Sequence, residues 1–270
     1  MKIFSLLGRS GGAIGGVAPM LIGAFFFLVP AALLFYLFTH PDSATAAPLA
    51  DDYAKAVLES QHVGAAPASA GLFSVNPDQP LTLVAWMPHR YAPVYQGSKP
   101  LDRDIWVTVA PFLKEFCQGF VKSNGPDPVK LGVRLKQHLG LPPSADYDTF
   151  VELRIESPRK ALLFRPCGGD PTIFDNKCSA RLPQPVDVWK LPDSSTLSPG
   201  DRQTEWVLRN YYANYSAASP YPWTALGYTF DWYKDSQGNY VRKGESEFVL
   251  PAGAQFQFES ATDTASYCQP

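Results

Sequence analysis

Residues 150–156 read Phe150-Val151-Glu152-Leu153-Arg154-Ile155-Glu156, an uninterrupted alternation of apolar and charged side chains. A repeat of two places the apolar residues from Val151 onward on one face of an extended chain and the charged residues on the other. This pattern is typical of a β-strand that packs one face on a core and turns the other toward water. We therefore expect a sheet to be built around this segment.

Further segments on both sides of this strand complete a mixed pattern. The other predicted strands are Leu81–Met87, Asp104–Ala110, Glu247–Leu250 and Ala254–Phe258. The predicted helices are 51–60, 111–121, 128–139 and 201–212. Strands and helices that do not alternate regularly, joined by many of the 26 prolines, predict an α+β fold with long ordered loops.

The run from Gly11 to Phe38 contains 28 residues and no charged side chain. At roughly 1.5 Å per residue, a helix of this length can cross a bilayer. Lys2 and Arg9 precede the run, and Asp42 is the first charge after it, which orients the N-terminus toward the cytoplasm. The sequence therefore predicts one transmembrane helix over 11–38, with the rest of the chain in the periplasm or outside the cell.

A cleaved signal peptide is the alternative interpretation of this run, because Ala44-Thr45-Ala46 resembles a cleavage site. Signal peptides have apolar cores of roughly 7 to 15 residues, so the length favours an uncleaved anchor. Gly12 and Gly16 lie four residues apart, a spacing that lets a second helix approach closely. We take this pair as a candidate contact with another membrane protein; the alternative is that glycine is simply common in membrane helices.

Composition divides the chain into four parts. Residues 1–10 form the cytoplasmic N-terminus and 11–38 the transmembrane helix. Residues 39–70 are rich in alanine, proline, serine and aspartate, which predicts a tether. Residues 71–270 are long enough for one hydrophobic core and form the predicted extracytoplasmic α+β domain. The net charge of −2 is spread along the chain, which argues against nucleic acid as a partner.

The four cysteines are an even set in a chain that we expect to be exported, which predicts disulfide bonds. Cys167 and Cys178 bracket a short loop rich in glycine, aspartate and proline, so a bond between them is sterically easy. Cys117 and Cys268 would then form a second bond that pins the C-terminal tail to the core. A zinc site is disfavoured because the sequence has no C-x-x-C motif and no histidine near these cysteines.

Ten aromatic residues occur within the 28 residues from Trp206 to Tyr233. Aromatic side chains are enriched where proteins bind other proteins or stack on sugars, but they also fill cores. We take Trp223, Tyr228 and Trp232 as candidate interaction residues. The alternative is that this segment forms the core of a loop-rich domain.

The segment 244–258 reads Gly-Glu-Ser-Glu-Phe-Val-Leu-Pro-Ala-Gly-Ala-Gln-Phe-Gln-Phe. Its E-x-E pattern, followed by an apolar strand and Pro-x-Gly-x-x-Phe, resembles the third motif of ADP-ribosyltransferases and related NAD-cleaving domains. The resemblance implies that Glu247 contacts the nicotinamide ribose and stabilises positive charge there, while Glu245 activates an acceptor. Arg90 would supply the family's early basic residue, but the central Ser-Thr-Ser of the family is missing.

A broader resemblance covers most of the domain and relates the chain to exported bacterial proteins of undetermined function. It implies one fold throughout and no particular activity. The segments that carry it are Ile105–Pro111, Phe150–Leu153, Leu163–Cys167, Pro222–Trp232 and Ser246–Val249.

The sequence contains no motif of serine hydrolases, metalloproteases, nucleotide triphosphatases or dinucleotide-binding enzymes. This favours a non-enzymatic role without a cofactor: a membrane-anchored binding or assembly protein, an accessory subunit that associates with other membrane-protein subunits. The alternatives are an NAD glycohydrolase or ADP-ribosyltransferase-like enzyme that uses Glu247, and a binder of glycans or peptidoglycan.

Overall fold

The computed structural model of the chain describes residues 41–63, 71–167, 178, 196 and 198–270. Its helices are α1 (Pro41–Ser60), α2 (Ala110–Asn124), α3 (Pro128–His138), α4 (Pro199–Ser216) and α5 (Thr264–Tyr267), with a 3₁₀ helix at His89–Tyr95. Its strands are β1 (Leu81–Met87), β2 (Ile105–Val109), β3 (Thr149–Ile155), β4 (Tyr228–Lys234), β5 (Tyr240–Ser246), β6 (Phe248–Leu250) and β7 (Gln257–Asp263). The α+β class expected from the sequence is confirmed.

Five strands form an antiparallel sheet in the order β6-β2-β1-β3-β7. Strand β3, which contains the alternating segment, pairs along its whole length with β1, from Leu81 opposite Ile155 to Met87 opposite Thr149. Its other edge pairs with β7, with a bulge between Glu152 and Leu153. The strand predicted at 254–258 is found further along the chain, at Gln257–Asp263. Ala254 and Phe256 are buried in the core and precede the residues that pair with β3.

Apolar side chains cover both faces of this sheet. On one face, Leu83 and Val151 belong to a core that includes the 3₁₀ helix. On the other, Val84 and Phe150 pack against Leu113 of α2 and other side chains of α2 and α3. Strand β1 is therefore buried on both sides, which explains why its sequence is a continuous apolar run.

Strands β4 and β5 form a separate antiparallel hairpin. Strand β4 packs against α3 and α1, so the hairpin joins the two helices to the main sheet. Five of the seven residues of β4 are buried, including Phe230 and Trp232. The sequence analysis did not identify either strand, because β4 lacks an alternating pattern and reads as one aromatic cluster.

Helix α1 packs against the domain, although its whole length falls in the predicted tether. Ala56 is fully buried, and the Tyr53 ring meets the edge of Trp232 at a centroid distance of 5.6 Å. The Ser60 and Tyr215 hydroxyl groups are 2.8 Å apart, and Arg242 pairs with Glu59 at 2.6 Å. The helix is thus part of the packed unit, and the folded region begins earlier than residue 71.

Two disulfide bonds, Cys117–Cys268 and Cys167–Cys178, have the pairing that the sequence predicted. The first joins α2 to the residue after α5, with 151 positions between its cysteines. The tail is also held by the Trp86 indole nitrogen, which donates to the Thr264 hydroxyl at 2.9 Å. The end of the chain is therefore fixed to the helical face of the sheet.

The apolar run Gly11–Phe38, including Gly12 and Gly16, lies outside the residues that the structure describes. Within the described residues, no helix has the length and apolar character needed to cross a membrane. The predicted anchor therefore stays a prediction.

Candidate functional site

The hairpin and α3 bring four charged side chains together at the centre of the molecule. The His138 imidazole lies between two carboxylates, with Nδ1 2.9 Å from Asp231 and Nε2 2.9 Å from Glu245. Arg134, one turn earlier on α3, donates two hydrogen bonds to Asp231 at 3.0 and 2.7 Å. We refer to Arg134, His138, Asp231 and Glu245 as the histidine network.

Aromatic rings enclose the histidine network. The Phe116 ring stacks on the His138 ring at 3.5 Å between centroids, nearly parallel. The Arg134 guanidinium lies over the rings of Phe116 and Tyr233, at 4.8 and 4.7 Å. These rings exclude water from the charged groups and add cation–π attraction, so the ion pairs act at low local dielectric.

The protonation states follow from the hydrogen bonds. Burial alone would lower the pKa of His138, but hydrogen bonds to Asp231 and Glu245 outweigh it and leave the pKa raised. Burial would likewise raise the pKa of Asp231, yet hydrogen bonds from His138 and Arg134 leave it lowered. Both ring nitrogens of His138 face carboxylate oxygens, so the geometry favours an imidazolium that donates from both nitrogens.

Backbone contacts hold the hairpin against the end of α3. The Thr229 hydroxyl donates to the His138 carbonyl at 2.7 Å and accepts from the Glu245 amide at 2.9 Å. A Cβ at position 244 would collide with that same carbonyl oxygen, so only glycine fits there. Gly244 thus permits the close approach that places Glu245 beside His138.

We expect the stability of the protein to depend on pH through this network. A raised His138 pKa contributes stability that is complete below the unfolded value of 6.5 and is lost as the pH rises through the folded pKa. A lowered Asp231 pKa contributes stability that is present above 3.8 and is lost as the pH falls through the folded pKa. The network should therefore stabilise the protein most between pH 3.8 and 6.5, the pKa values of Asp231 and His138 in the unfolded chain.

Urea unfolding at about pH 5, 7 and 9 measures this dependence. The wild-type protein should lose free energy of unfolding between the lowest and highest pH. The His138→Gln variant should show a smaller loss over the same interval. Equal slopes for the two proteins would contradict the assignment of the charge to His138.

Glu247 lies two residues from Glu245 but in different surroundings. It is only 2% exposed, and its amide donates to the Gly227 carbonyl at 2.9 Å. It lines a cavity of about 50 Å³ between the sheet and the helical layer. Trp86, Trp106 and Thr108 also line this cavity.

The structure places the three residues of the E-x-E resemblance in three environments. Glu247 faces the cavity, and Glu245 is bound to His138. Arg90 is exposed and pairs with Asp146 at 2.6 Å, where its side chain retains 59% of its accessible surface. The short spacing in the sequence therefore does not produce one open acidic pocket with an arginine in it.

The predicted aromatic interaction residues are part of the core. Trp223, Tyr228 and Trp232 are each 3% exposed or less. Trp223 packs against Trp106 at a centroid distance of 5.2 Å, and the Trp232 indole donates to the Leu141 carbonyl at 3.1 Å. The prediction that these rings form a contact surface is corrected, because all three are packed in the interior, Tyr228 and Trp232 from β4 and Trp223 from the loop before it.

The sequence analysis missed the histidine network. It named neither His138 nor Asp231 as a candidate functional residue. A usable signal was present, since Arg134 and His138 share one face of α3 and Asp231 is the one carboxylate among the aromatic residues of β4. Charged residues at otherwise apolar positions indicate a buried ion pair.

Within the described residues, no group of three or more histidine, cysteine, aspartate or glutamate side chains could hold a metal ion. Comparison of the chain with protein-family models, curated proteins and solved structures finds no match.

Proposed function

We propose that this chain is a membrane-anchored binding or assembly protein, an accessory subunit that presents one rigid extracytoplasmic domain to a larger membrane complex. The position of α1 carries the proposal. The helix begins at Pro41, three residues after the apolar run ends at Phe38, and it packs into the domain through Ala56. An anchor in that run would therefore hold the domain close to the membrane.

The contacts of α1 suit such a role. Lys234 of the hairpin pairs with Asp52 of α1 at 2.5 Å, and the Tyr240 hydroxyl donates to the Asp52 carbonyl at 2.8 Å. Together with the buried face of the helix, these contacts resist rotation of the domain about α1. A domain so fixed offers the same surface to a neighbouring membrane protein at all times, which lowers the entropic cost of association.

Exposed apolar side chains near α1 supply a candidate contact surface. Leu58 of α1 is 62% exposed, and Tyr233 and Val241 of the packed hairpin are 43% and 45% exposed. Exposed apolar side chains mark a protein contact site where they form one patch, and we propose that these three do so. The two disulfide bonds support an oxidising compartment, in agreement with the predicted orientation.

The experiment is extraction of the full chain from native membranes in mild detergent, followed by mass spectrometry of the proteins that co-migrate. We expect a stoichiometric partner that is lost in the Leu58→Lys, Val241→Lys double variant. Val129→Lys is the matched control, because Val129 is 73% exposed on α3. A protein that migrates alone, or a partner that both variants retain, would contradict the proposed surface.

The geometry favours this role over the two alternatives. The cavity beside Glu247 is about 50 Å³, whereas pockets for small organic ligands measure roughly 300 Å³ or more. The aromatic residues proposed to stack on glycans are buried. An NAD-cleavage assay on the full chain, with Glu247→Gln as control, tests the enzymatic alternative directly.

A further inference from the structure

The cavity beside Glu247 combines polar and aromatic groups in a way that the proposed function does not use. Its volume of about 50 Å³ is several times the roughly 10 to 15 Å³ that holds one water molecule. Val84 of β1 and Leu113 of α2 form part of its apolar lining. A guest of a few non-hydrogen atoms fits this space.

Four of the side chains that line the cavity carry oxygen atoms, namely Thr108, Tyr147, Thr229 and Glu247, and two of them matter for the argument. Glu247 contributes a carboxylate, and Thr108 of β2 contributes a hydroxyl group. Thr108 is 6% exposed, and its Oγ1 has no hydrogen-bond partner among the described residues. A buried hydroxyl group without a hydrogen-bond partner is destabilising, so a guest that hydrogen-bonds to Thr108 would be favoured.

Aromatic rings form the rest of the wall. Trp86 and Tyr147 meet edge to face at a centroid distance of 5.6 Å, and Trp106 contributes a second indole. Indole and phenol rings attract cations through the negative charge of their faces. A carboxylate, a hydroxyl acceptor and aromatic walls together form the surroundings that an ammonium group prefers.

We propose that this cavity binds a small alkylammonium cation of the size of methylammonium. Glu247 is the counter-ion, Thr108 Oγ1 accepts a hydrogen bond from the ammonium nitrogen, and Trp86, Trp106 and Tyr147 surround the methyl end. No bond is made or broken. The site is independent of the proposed partner surface, which lies on α1 and the hairpin.

The test is isothermal titration calorimetry of the full chain in a non-ionic detergent with methylammonium chloride, corrected for sodium chloride at equal ionic strength. We expect saturable binding of one cation per chain. Glu247→Gln should weaken it about tenfold or more, the effect of losing a charge-assisted hydrogen bond. Thr108→Val, which keeps the side-chain shape, should weaken it by a smaller factor.

Two controls make the result decisive. Glu156→Gln removes an exposed carboxylate from the end of the same sheet and should leave the affinity unchanged. Tetramethylammonium is larger than the proposed guest and has no N–H group, so it should not bind. If the Glu247→Gln variant does not unfold cooperatively, it is not correctly folded. The Thr108→Val and Trp106→Leu variants are then measured in its place. Wild-type protein without saturable binding, or variants that bind as tightly as the wild type, would overturn the proposal.

Discussion

The Asp231→Ala variant should lose roughly 3 to 5 kcal/mol of its free energy of unfolding, the cost of removing one partner from a buried ion pair. Asp231 is fully buried and accepts hydrogen bonds from Arg134, from His138 and from the Tyr233 amide. Without it, a guanidinium and an imidazolium would be left in the interior with one carboxylate, Glu245. Urea unfolding followed by tryptophan fluorescence measures the loss.

A surface pair provides the matched control for this variant. Asp146 pairs with Arg90 at 2.6 Å, the same chemistry as Asp231 with Arg134, but both side chains are mostly exposed. Asp146→Ala should therefore leave stability unchanged. A loss below about 1 kcal/mol in Asp231→Ala would show that water reaches the histidine network and would refute its burial.

A double-mutant cycle separates the network from packing. The variants are Asp231→Ala, His138→Ala and the two combined, each measured by the same unfolding assay. If the imidazolium depends on Asp231, the double variant should be more stable than the sum of the single losses implies. Additive losses would mean that the two side chains act through packing alone.

The sequence predicted the sheet better than the layer that covers it. Strand β3 was identified by its alternating pattern, and β1 by a continuous apolar run of strand length. Helix α2 was also identified, but one of its large apolar side chains, Phe112, is 39% exposed. The fully buried positions are Leu113 and Cys117, because the disulfide turns that face of α2 toward the sheet.

The packing of helix α1 against the domain could not be predicted from local patterns. Helix α1 reads as a polar tether because only a narrow stripe around Ala56 meets the domain. Its partner Trp232 lies 176 residues away in a strand with no alternating pattern. Contacts between such distant segments leave no periodic trace in either one, so the docking of α1 is visible only in three dimensions.

The candidate site was only partly accessible from the sequence for a similar reason. The E-x-E spacing drew attention to Glu245 and Glu247, and both prove to be in buried or half-buried surroundings. Successive alternate residues of a strand usually share a face. Glu247, however, lies between β5 and β6, so the chain changes direction there and sends the two carboxylates to different partners.

The second large effect concerns the Cys117–Cys268 disulfide. Replacing both cysteines by alanine should lower the free energy of unfolding by about 5 kcal/mol, the chain-entropy value for a loop of this length. The loop spans 151 positions, against 11 for Cys167–Cys178. Replacing Cys167 and Cys178 by alanine should lower the free energy of unfolding by about 3 kcal/mol by the same chain-entropy argument, so this variant is the matched control.

Non-covalent contacts of the tail decide how much of this effect is seen. The Tyr267 ring stacks on Phe150 at 4.2 Å, and its hydroxyl group lies 3.2 Å from Glu152. If these contacts hold α5 in place, the variant without Cys117 and Cys268 should remain folded. Its lower free energy of unfolding should then be seen only in urea, and a protease should not release the tail under native conditions. Early cleavage before residue 264 would show instead that the disulfide is what orders α5. A smaller loss than in the Cys167–Cys178 variant would contradict the loop-length argument, because it would mean that the unfolded chain already keeps its tail near α2.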